Sequence, residues 1–235
     1  MESSGLCPEL KFEDTSSSRD VSKKKQKPDI TIYWKPRVPG SHDREWVLDF
    51  KAVDLWIENK KKDDDIFRTL MELKRDDEKD GDLESHLRWT NSAYKICGQL
   101  IAYATGLHHS QFRIFSFGVV LYGQKGRLLR WDCSGVIYTE AFEWAEQPDT
   151  LFEFFWRLNF LSSVKRGYDT TITRVAFVLD DGEAKVALSM LRTYKGWEKL
   201  KGDNLRKILV CDGADGQLRS YITPGAIWDT NTLFS

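Results

Sequence analysis

The stretch KAVDLWIENK, residues 51–60, most constrains what this chain can fold into. As a strand it turns alternate side chains to opposite faces of a sheet. One face is then apolar, with Val53, Leu55 and Ile57. The other face carries Asp54, Trp56, Glu58 and Lys60. A carboxylate and an ammonium two residues apart are either a surface ion pair or one edge of a metal site, and the pattern of this strand leaves both open.

The composition predicts a folded protein. Of the 235 residues, 41% are hydrophobic and 13% are aromatic, which is enough to bury a sizeable core. No apolar run approaches the ~18 residues that span a bilayer, and the N-terminus lacks the regions of a signal peptide. We therefore expect a soluble intracellular protein, cytoplasmic or nuclear. The cysteines show no C-x-x-C pair and predict free thiols: Cys7, Cys97, Cys133 and Cys211.

The charge balance limits nucleic-acid binding to a local patch. The chain has 35 basic and 36 acidic residues and a net charge of -1. Non-specific affinity for nucleic acid grows with the number of phosphates that are neutralised, so a neutral chain offers no general attraction.

The order of patterns predicts an α/β (α+β) fold with a mixed central sheet flanked by helices. Residues 1–27 read as a polar, flexible tail with a short helix near Pro8–Phe12, and Ile66 begins a helical spacing. Three further elements follow in the chain: a helix from Thr90 to Leu107, a β-hairpin across Gly123–Gly126 with a third strand after it, and an aromatic helix over 150–163. Residues 166–235 read as a small β-rich extension, ambiguous between helix and strand over Glu183–Lys201. The predicted domains are therefore 28–165 and 166–235.

Five polar residues are spaced so that three elements could bring them together. Asp29 opens a predicted strand, Glu58 and Lys60 end the next, and Gln99 and Tyr103 stand four apart on one helix face. A second Glu-x-Lys occurs at residues 72–74, on a predicted helix. Positions two apart on a helix point about 200° apart, so that copy cannot converge on one ion.

This constellation resembles the PD-(D/E)XK nuclease superfamily, in its RecB-type branch with a Q-x-x-x-Y helix. The resemblance implies a restriction-endonuclease-like fold that binds Mg²⁺ or Mn²⁺. The ligands would be the Asp29 and Glu58 carboxylates and the Asn59 carbonyl, all oxygen donors that suit such ions. Members of the superfamily often take a further acid from the first helix, which here would be Glu9.

The implied activity is divalent-metal-dependent hydrolysis of DNA, with RNA as a further substrate. A bound ion polarises the scissile phosphate and lowers the pKa of an attacking water. Lys60 would orient that water or stabilise charge on the phosphoryl oxygens, while Gln99 and Tyr103 would support it. The alternative is structural: Asp29 caps a strand, and Glu58 and Lys60 form a surface pair worth about 0.2–1 kcal/mol.

A second resemblance covers more of the chain. Residues 27–171 resemble the region that precedes the catalytic lobes in the fungal-type protein kinase family, most specifically in a WD-x-S-G element at Trp131–Gly135 and a G-x-D-x-T element at Gly167–Thr171. The family's usual Arg after the WD is Cys133 here. No G-x-G-x-x-G, H-R-D or D-F-G occurs in the sequence, so these residues alone are not expected to transfer phosphate. We expect a kinase domain in cis, following the C-terminal residues of this sequence.

Two functions follow from these resemblances. The leading one is a metal-dependent nuclease that binds DNA through a local patch, favoured by the complete Asp, Glu, Lys, Gln and Tyr set. The alternative is a non-catalytic regulatory or interaction module of a fungal-type protein kinase. The net charge and the acidic run Asp63–Asp65 beside the predicted phosphate site favour that alternative. The oligomeric state stays open.

Overall fold

The computed structural model describes residues 5–16, 27–35, 50–62, 64–69, 87–88, 90–174, 182–194, 198–200, 205–211 and 217–224. The second Glu-x-Lys at 72–74 and Asp63 lie outside these residues. The chain forms two compact units, Met1–Tyr168 and Asp169–Ser235. Within the described residues, no helix is long and apolar enough to cross a membrane.

A seven-stranded mixed sheet forms the centre of the described part of the first unit. Its strands are β1 (Leu10–Asp14), β2 (Ile30–Trp34), β3 (Val53–Lys60), β4 (Phe115–Tyr122), β5 (Lys125–Asp132), β6 (Gly135–Tyr138) and β7 (Phe142–Glu143). They lie in the order β1-β2-β3-β4-β5-β6, and β7 pairs with β5. Strands β3 and β4 are parallel, and the other pairs are antiparallel. The predicted mixed sheet and its hairpin are confirmed.

Helix α1 (Asn91–Gln111) lies in the connection between the two parallel strands, which cannot be joined by a tight turn. Thr90 caps its start by accepting a hydrogen bond from the Ala93 N–H at 3.1 Å. It ends where Phe112 adopts a left-handed conformation, one turn later than predicted. His108 therefore lies inside the last turn, 3.0 Å from the Ser116 hydroxyl, rather than beyond the helix.

Two helices cover opposite faces of the sheet. The apolar stripe of α1, including Ile96 and Leu100, packs with Trp56 on one face. Helix α2 (Asp149–Phe160) packs Phe155 against β1 to β4 on the other face. Because each face has its own apolar cluster, β3 is a central strand that is buried on both sides. The confirmed architecture is a sheet between two helical layers.

The alternation predicted for β3 is wrong at its start. The register between β2 and β3 shifts between Ile32 and Tyr33. Val53 consequently packs in the cluster that contains Trp56, not with Leu55. A bulge of this kind adds a residue to one strand and moves the preceding side chains to the other face.

The register shift accompanies a buried ion cluster around Asp54. Its carboxylate accepts hydrogen bonds from Arg113 Nη2 at 2.9 Å, Arg166 Nη1 at 3.1 Å and the Tyr168 hydroxyl at 2.7 Å. The side chains of Asp54 and Arg113 are each 1% exposed. A buried carboxylate is costly unless it is paired and hydrogen-bonded, so this cluster ties β3 to the chain that follows α1 and α2.

Two local predictions are corrected. Residues 10–14 form strand β1 instead of the helix expected near Pro8–Phe12, because they pair with β2 and bury Leu10 under α2. The helical spacing that begins at Ile66 does not start a helix in the described residues 64–69. There Phe67 bridges to Leu87, and it stacks at 4.2 Å on Tyr138.

The second unit contains a small antiparallel sheet and a helix. The described elements are β8 (Ile172–Arg174), α3 (Gly182–Leu191), β9 (Leu205–Cys211) and β10 (Leu218–Pro224). Strand β9 lies between β10 and β8, and Leu205 packs with Leu188 of α3. The predicted β-rich character of this extension is confirmed, and the segment that the sequence leaves ambiguous begins with α3.

Gly167 tests how closely the backbone packs against strand β4. It has a φ of 92°, and a Cβ at this position would lie 1.9 Å from the Phe115 carbonyl oxygen. We expect Gly167→Ala to lower the free energy of unfolding by about 3 kcal/mol or more, measured by urea denaturation. The matched control is Gly98→Ala in α1, where the added Cβ meets no atom within 4 Å. It should stabilise by about 0.5–1 kcal/mol. Equal effects of the two changes would contradict this packing.

Candidate functional site

Glu58 is the centre of the candidate site. It lies near the end of β3, and its side chain is only 3% exposed. Its Oε1 accepts hydrogen bonds from Lys60 Nζ at 2.5 Å and Gln99 Nε2 at 2.9 Å. Its Oε2 accepts one from the Tyr103 hydroxyl at 3.1 Å. The structure therefore brings together four of the five residues through direct contacts around one carboxylate.

The contacts continue from one side chain to the next. Lys60 Nζ also donates to Gln99 Oε1 at 2.9 Å, and Gln99 Nε2 contacts the Tyr103 hydroxyl at 2.5 Å. Gln99 and Tyr103 can both reach Glu58 because they stand one turn apart on the face of α1 that covers β3. The tyrosine hydroxyl is also 2.7 Å from the carbonyl of Lys27, a partner that the spacing of the sequence did not indicate.

Asp29 joins the site through the backbone. Its Oδ2 accepts a hydrogen bond from the Asn59 N–H at 2.8 Å. Asp29 immediately precedes β2, which pairs with β3, and this places its carboxylate beside the segment that carries Glu58 and Lys60. The contact is also what a strand-capping carboxylate makes, so the geometry is compatible with the structural alternative.

Glu9 lies apart from these contacts. It is exposed, and it is not on a helix, because it precedes β1. Its N–H donates to Asn159 Oδ1 at 2.9 Å, and its carbonyl accepts from the Lys35 N–H at 2.9 Å. Its backbone therefore links the start of β1 to α2 and to the residue after β2.

The electrostatics of the site follow from burial. Desolvation raises the pKa of Glu58, although Lys60 acts in the opposite direction. Desolvation also raises the pKa of Tyr103, and the adjacent Glu58 carboxylate adds to that effect. A neutral phenol donates a hydrogen bond to the carboxylate, whereas a phenolate would repel it. The site therefore holds one buried carboxylate between an ammonium, an amide and a phenol.

The hydrogen bonds around Glu58 restrict how a divalent metal could bind there. Hard cations of this kind require several oxygen ligands with free lone pairs. Both lone pairs of Glu58 Oε1 are already engaged, by Lys60 and by Gln99. Among the described residues, no three His, Cys, Asp or Glu side chains cluster so that they could hold an ion. Oε1 is therefore committed to the hydrogen-bond network, whereas Oε2 accepts only the Tyr103 hydrogen bond.

Two carboxylates of the predicted acidic patch, those of Asp64 and Asp65, are engaged by other side chains. Asp65 pairs with Arg127, whose Nη2 lies 2.9 Å from Oδ2 and whose side chain is fully buried. Arg127 also donates to the Thr139 carbonyl at 2.7 Å. Asp64 Oδ1 accepts a hydrogen bond from the Ser92 hydroxyl at 3.2 Å. Charge repulsion of a phosphate by this segment is therefore weaker than the sequence predicted.

The two sequence elements of the second resemblance form turns. In the first, Asp132 Oδ1 accepts from the Ser134 N–H at 2.8 Å, and Cys133 is exposed between them. In the second, Asp169 Oδ1 accepts from the Thr171 N–H at 2.8 Å and its hydroxyl at 2.6 Å. Side chains that hydrogen-bond two residues along stabilise turns, so both elements have a structural role.

The first unit is a mixed α+β fold. The polar side chains of its candidate site hydrogen-bond to one another. A sequence model of the family described as fungal protein kinase matches residues 80–202, more than half of the 235 residues. The chain belongs to this family. The match includes Gln99 and Tyr103 but begins after Asp29, Glu58 and Lys60. No curated protein and no solved structure matches the chain.

The raised pKa of Glu58 predicts a pH dependence of stability. The folded protein holds this proton more tightly than the unfolded chain, in which the pKa is 4.5. The contribution of this group is fully present below that value and is lost as the pH rises through the folded pKa. Wild type should therefore lose stability relative to Glu58→Gln as the pH rises from about 4 to 7. Urea denaturation of both proteins measures this difference, and a difference that does not vary with pH would contradict it.

Proposed function

We propose that this chain is a non-catalytic regulatory or interaction module of a fungal-type protein kinase. The observation that carries the proposal is the family match over more than half of a chain whose sequence lacks the phosphate-binding and catalytic motifs of a kinase. The partner is then a kinase domain, in cis in the full-length protein or added in trans.

The geometry of the site supports this proposal. The Glu58 carboxylate is occupied by Lys60, Gln99 and Tyr103, which lie on two different elements. Removing one partner from such a buried network leaves another charged or polar group unsatisfied, so each residue is required for stability. This acidic site therefore has a role in the fold without any substrate.

Binding to a kinase domain is the direct test of the module. The 235-residue chain is immobilised, and the isolated catalytic domain of a fungal-type protein kinase is passed over it in biolayer interferometry. We expect saturable binding and a changed rate of autophosphorylation when the two are mixed, because a regulatory module shifts the population of kinase states. Calorimetric titration of the chain alone with ATP and Mg²⁺ should show no binding. Phosphoryl transfer by the chain alone, or no binding to the kinase domain, would contradict the proposal.

A metal-dependent nuclease is the second candidate. The specific observation in its favour is that Asp29, Glu58, Lys60, Gln99 and Tyr103 lie together at the edge of two adjacent strands. For this function, a divalent ion has to bind Glu58 at Oε2, beside the Tyr103 hydroxyl, or displace Lys60 or Gln99 from Oε1. The chain would then share the activity of the PD-(D/E)XK superfamily as well as its residue pattern, and DNA is the expected substrate.

A cleavage assay separates the two candidates. Plasmid and single-stranded DNA are incubated with wild type, Glu58→Ala and Lys60→Ala in Mg²⁺ or Mn²⁺. A nuclease should lose at least about 100-fold in rate in both variants, because each removes a group that contacts the reacting phosphate or its ion. Lys125→Ala, a change at an exposed lysine of β5, is the matched control and should cleave like wild type. The module proposal predicts no cleavage in any of the four proteins.

A further inference from the structure

Helix α2 carries aromatic side chains on the face that does not pack on the sheet. Phe152 is 38% exposed, Trp156 is 48% exposed and Phe160 is 65% exposed. Residues four apart lie above one another on a helix, so the three form a continuous stripe. Trp156 and Phe160 contact each other edge to face at 5.3 Å. We call these three residues the α2 stripe.

The α2 stripe is symmetric about its central residue. A phenylalanine lies four positions before Trp156, and another lies four positions after it. When two copies of this helix pack antiparallel across a two-fold axis, Trp156 meets Trp156, and Phe152 meets Phe160. A two-fold interface requires this property, since the same patch must complement itself.

The charges beside the α2 stripe are also self-complementary. Glu153 and Arg157 lie next to each other on one flank, where they form an exposed ion pair at 2.6 Å within each chain. Asp149 in the first turn makes the start of the helix acidic. In antiparallel packing, Glu153 of one copy lies beside Arg157 of the other, and the reverse pair forms on the same flank. A second copy therefore matches this surface in both shape and charge.

We propose that the chain forms a two-fold symmetric dimer through α2, with Trp156 on the symmetry axis. Tryptophan is among the residue types enriched at interface hot spots, particularly near the centre of an interface. One pair of 12-residue helices buries less than the ~1,600 Å² of a standard interface, so the dimer is weak and depends on concentration. The proposal does not depend on whether the chain is a kinase module or a nuclease.

Sedimentation velocity of the full chain tests the dimer. Wild type should shift with rising concentration from 27.3 kDa toward twice that mass. Trp156→Ala should weaken association by at least about tenfold, because it removes the centre of the interface. Circular dichroism and thermal unfolding should stay unchanged at concentrations where both proteins are monomeric, since the residue is exposed and not part of the core. A wild type that is monomeric at every concentration overturns the proposal.

Charge reversal tests the geometry of the interface independently. Glu153→Arg and Arg157→Glu each place like charges opposite each other in their own dimer, so each protein should associate more weakly than wild type. An equimolar mixture of the two variants restores opposite charges at both contacts and should recover a dimer. The matched controls are Lys125→Glu and Glu143→Lys, an exposed pair on β5 and β7, which should not affect association. No recovery in the mixture, or the same recovery with the control pair, overturns the antiparallel arrangement.

Discussion

Strand β3 carries two carboxylates into the interior of the first unit, and each must be neutralised there for the sheet to form. Asp54 lies between Arg113 and Arg166, and Glu58 lies against Lys60. Isolated buried charges are too costly to persist, so the elements that supply the partners are held in place. Glu58 positions helix α1 through Gln99. Asp54 positions the chain after α1 through Arg113, and the turn after α2 through Arg166.

This constraint also accounts for the function that we propose. Lys60, Gln99 and Tyr103 resemble a catalytic set in sequence, but in the structure they satisfy the Glu58 carboxylate. The residues of a catalytic pattern and those that satisfy a buried carboxylate can be the same, because both place an ammonium, an amide and a phenol near an acid. The module that we propose would then act through its surface, where α2 presents an apolar stripe.

Local periodicity and turn residues predict much of the fold. Helix α1, the hairpin of β4 and β5 and the mixed sheet have clear patterns of their own, and the four-residue spacing of Gln99 and Tyr103 places both on one face. Strand β1 has no such pattern, and its conformation follows instead from its pairing with β2. The ion cluster of Asp54 was also missed: Arg166 is 112 residues away, and no short-range signal connects the two.

Calorimetric titration of the protein with Mn²⁺ at neutral pH tests the central claim most directly. If the Glu58 carboxylate is occupied by protein donors, wild type and Glu58→Gln will give the same heats, with no saturable site. Stoichiometric binding of Mn²⁺ by wild type that disappears in Glu58→Gln would contradict the account, because it would show that the carboxylate binds an ion in spite of its protein partners.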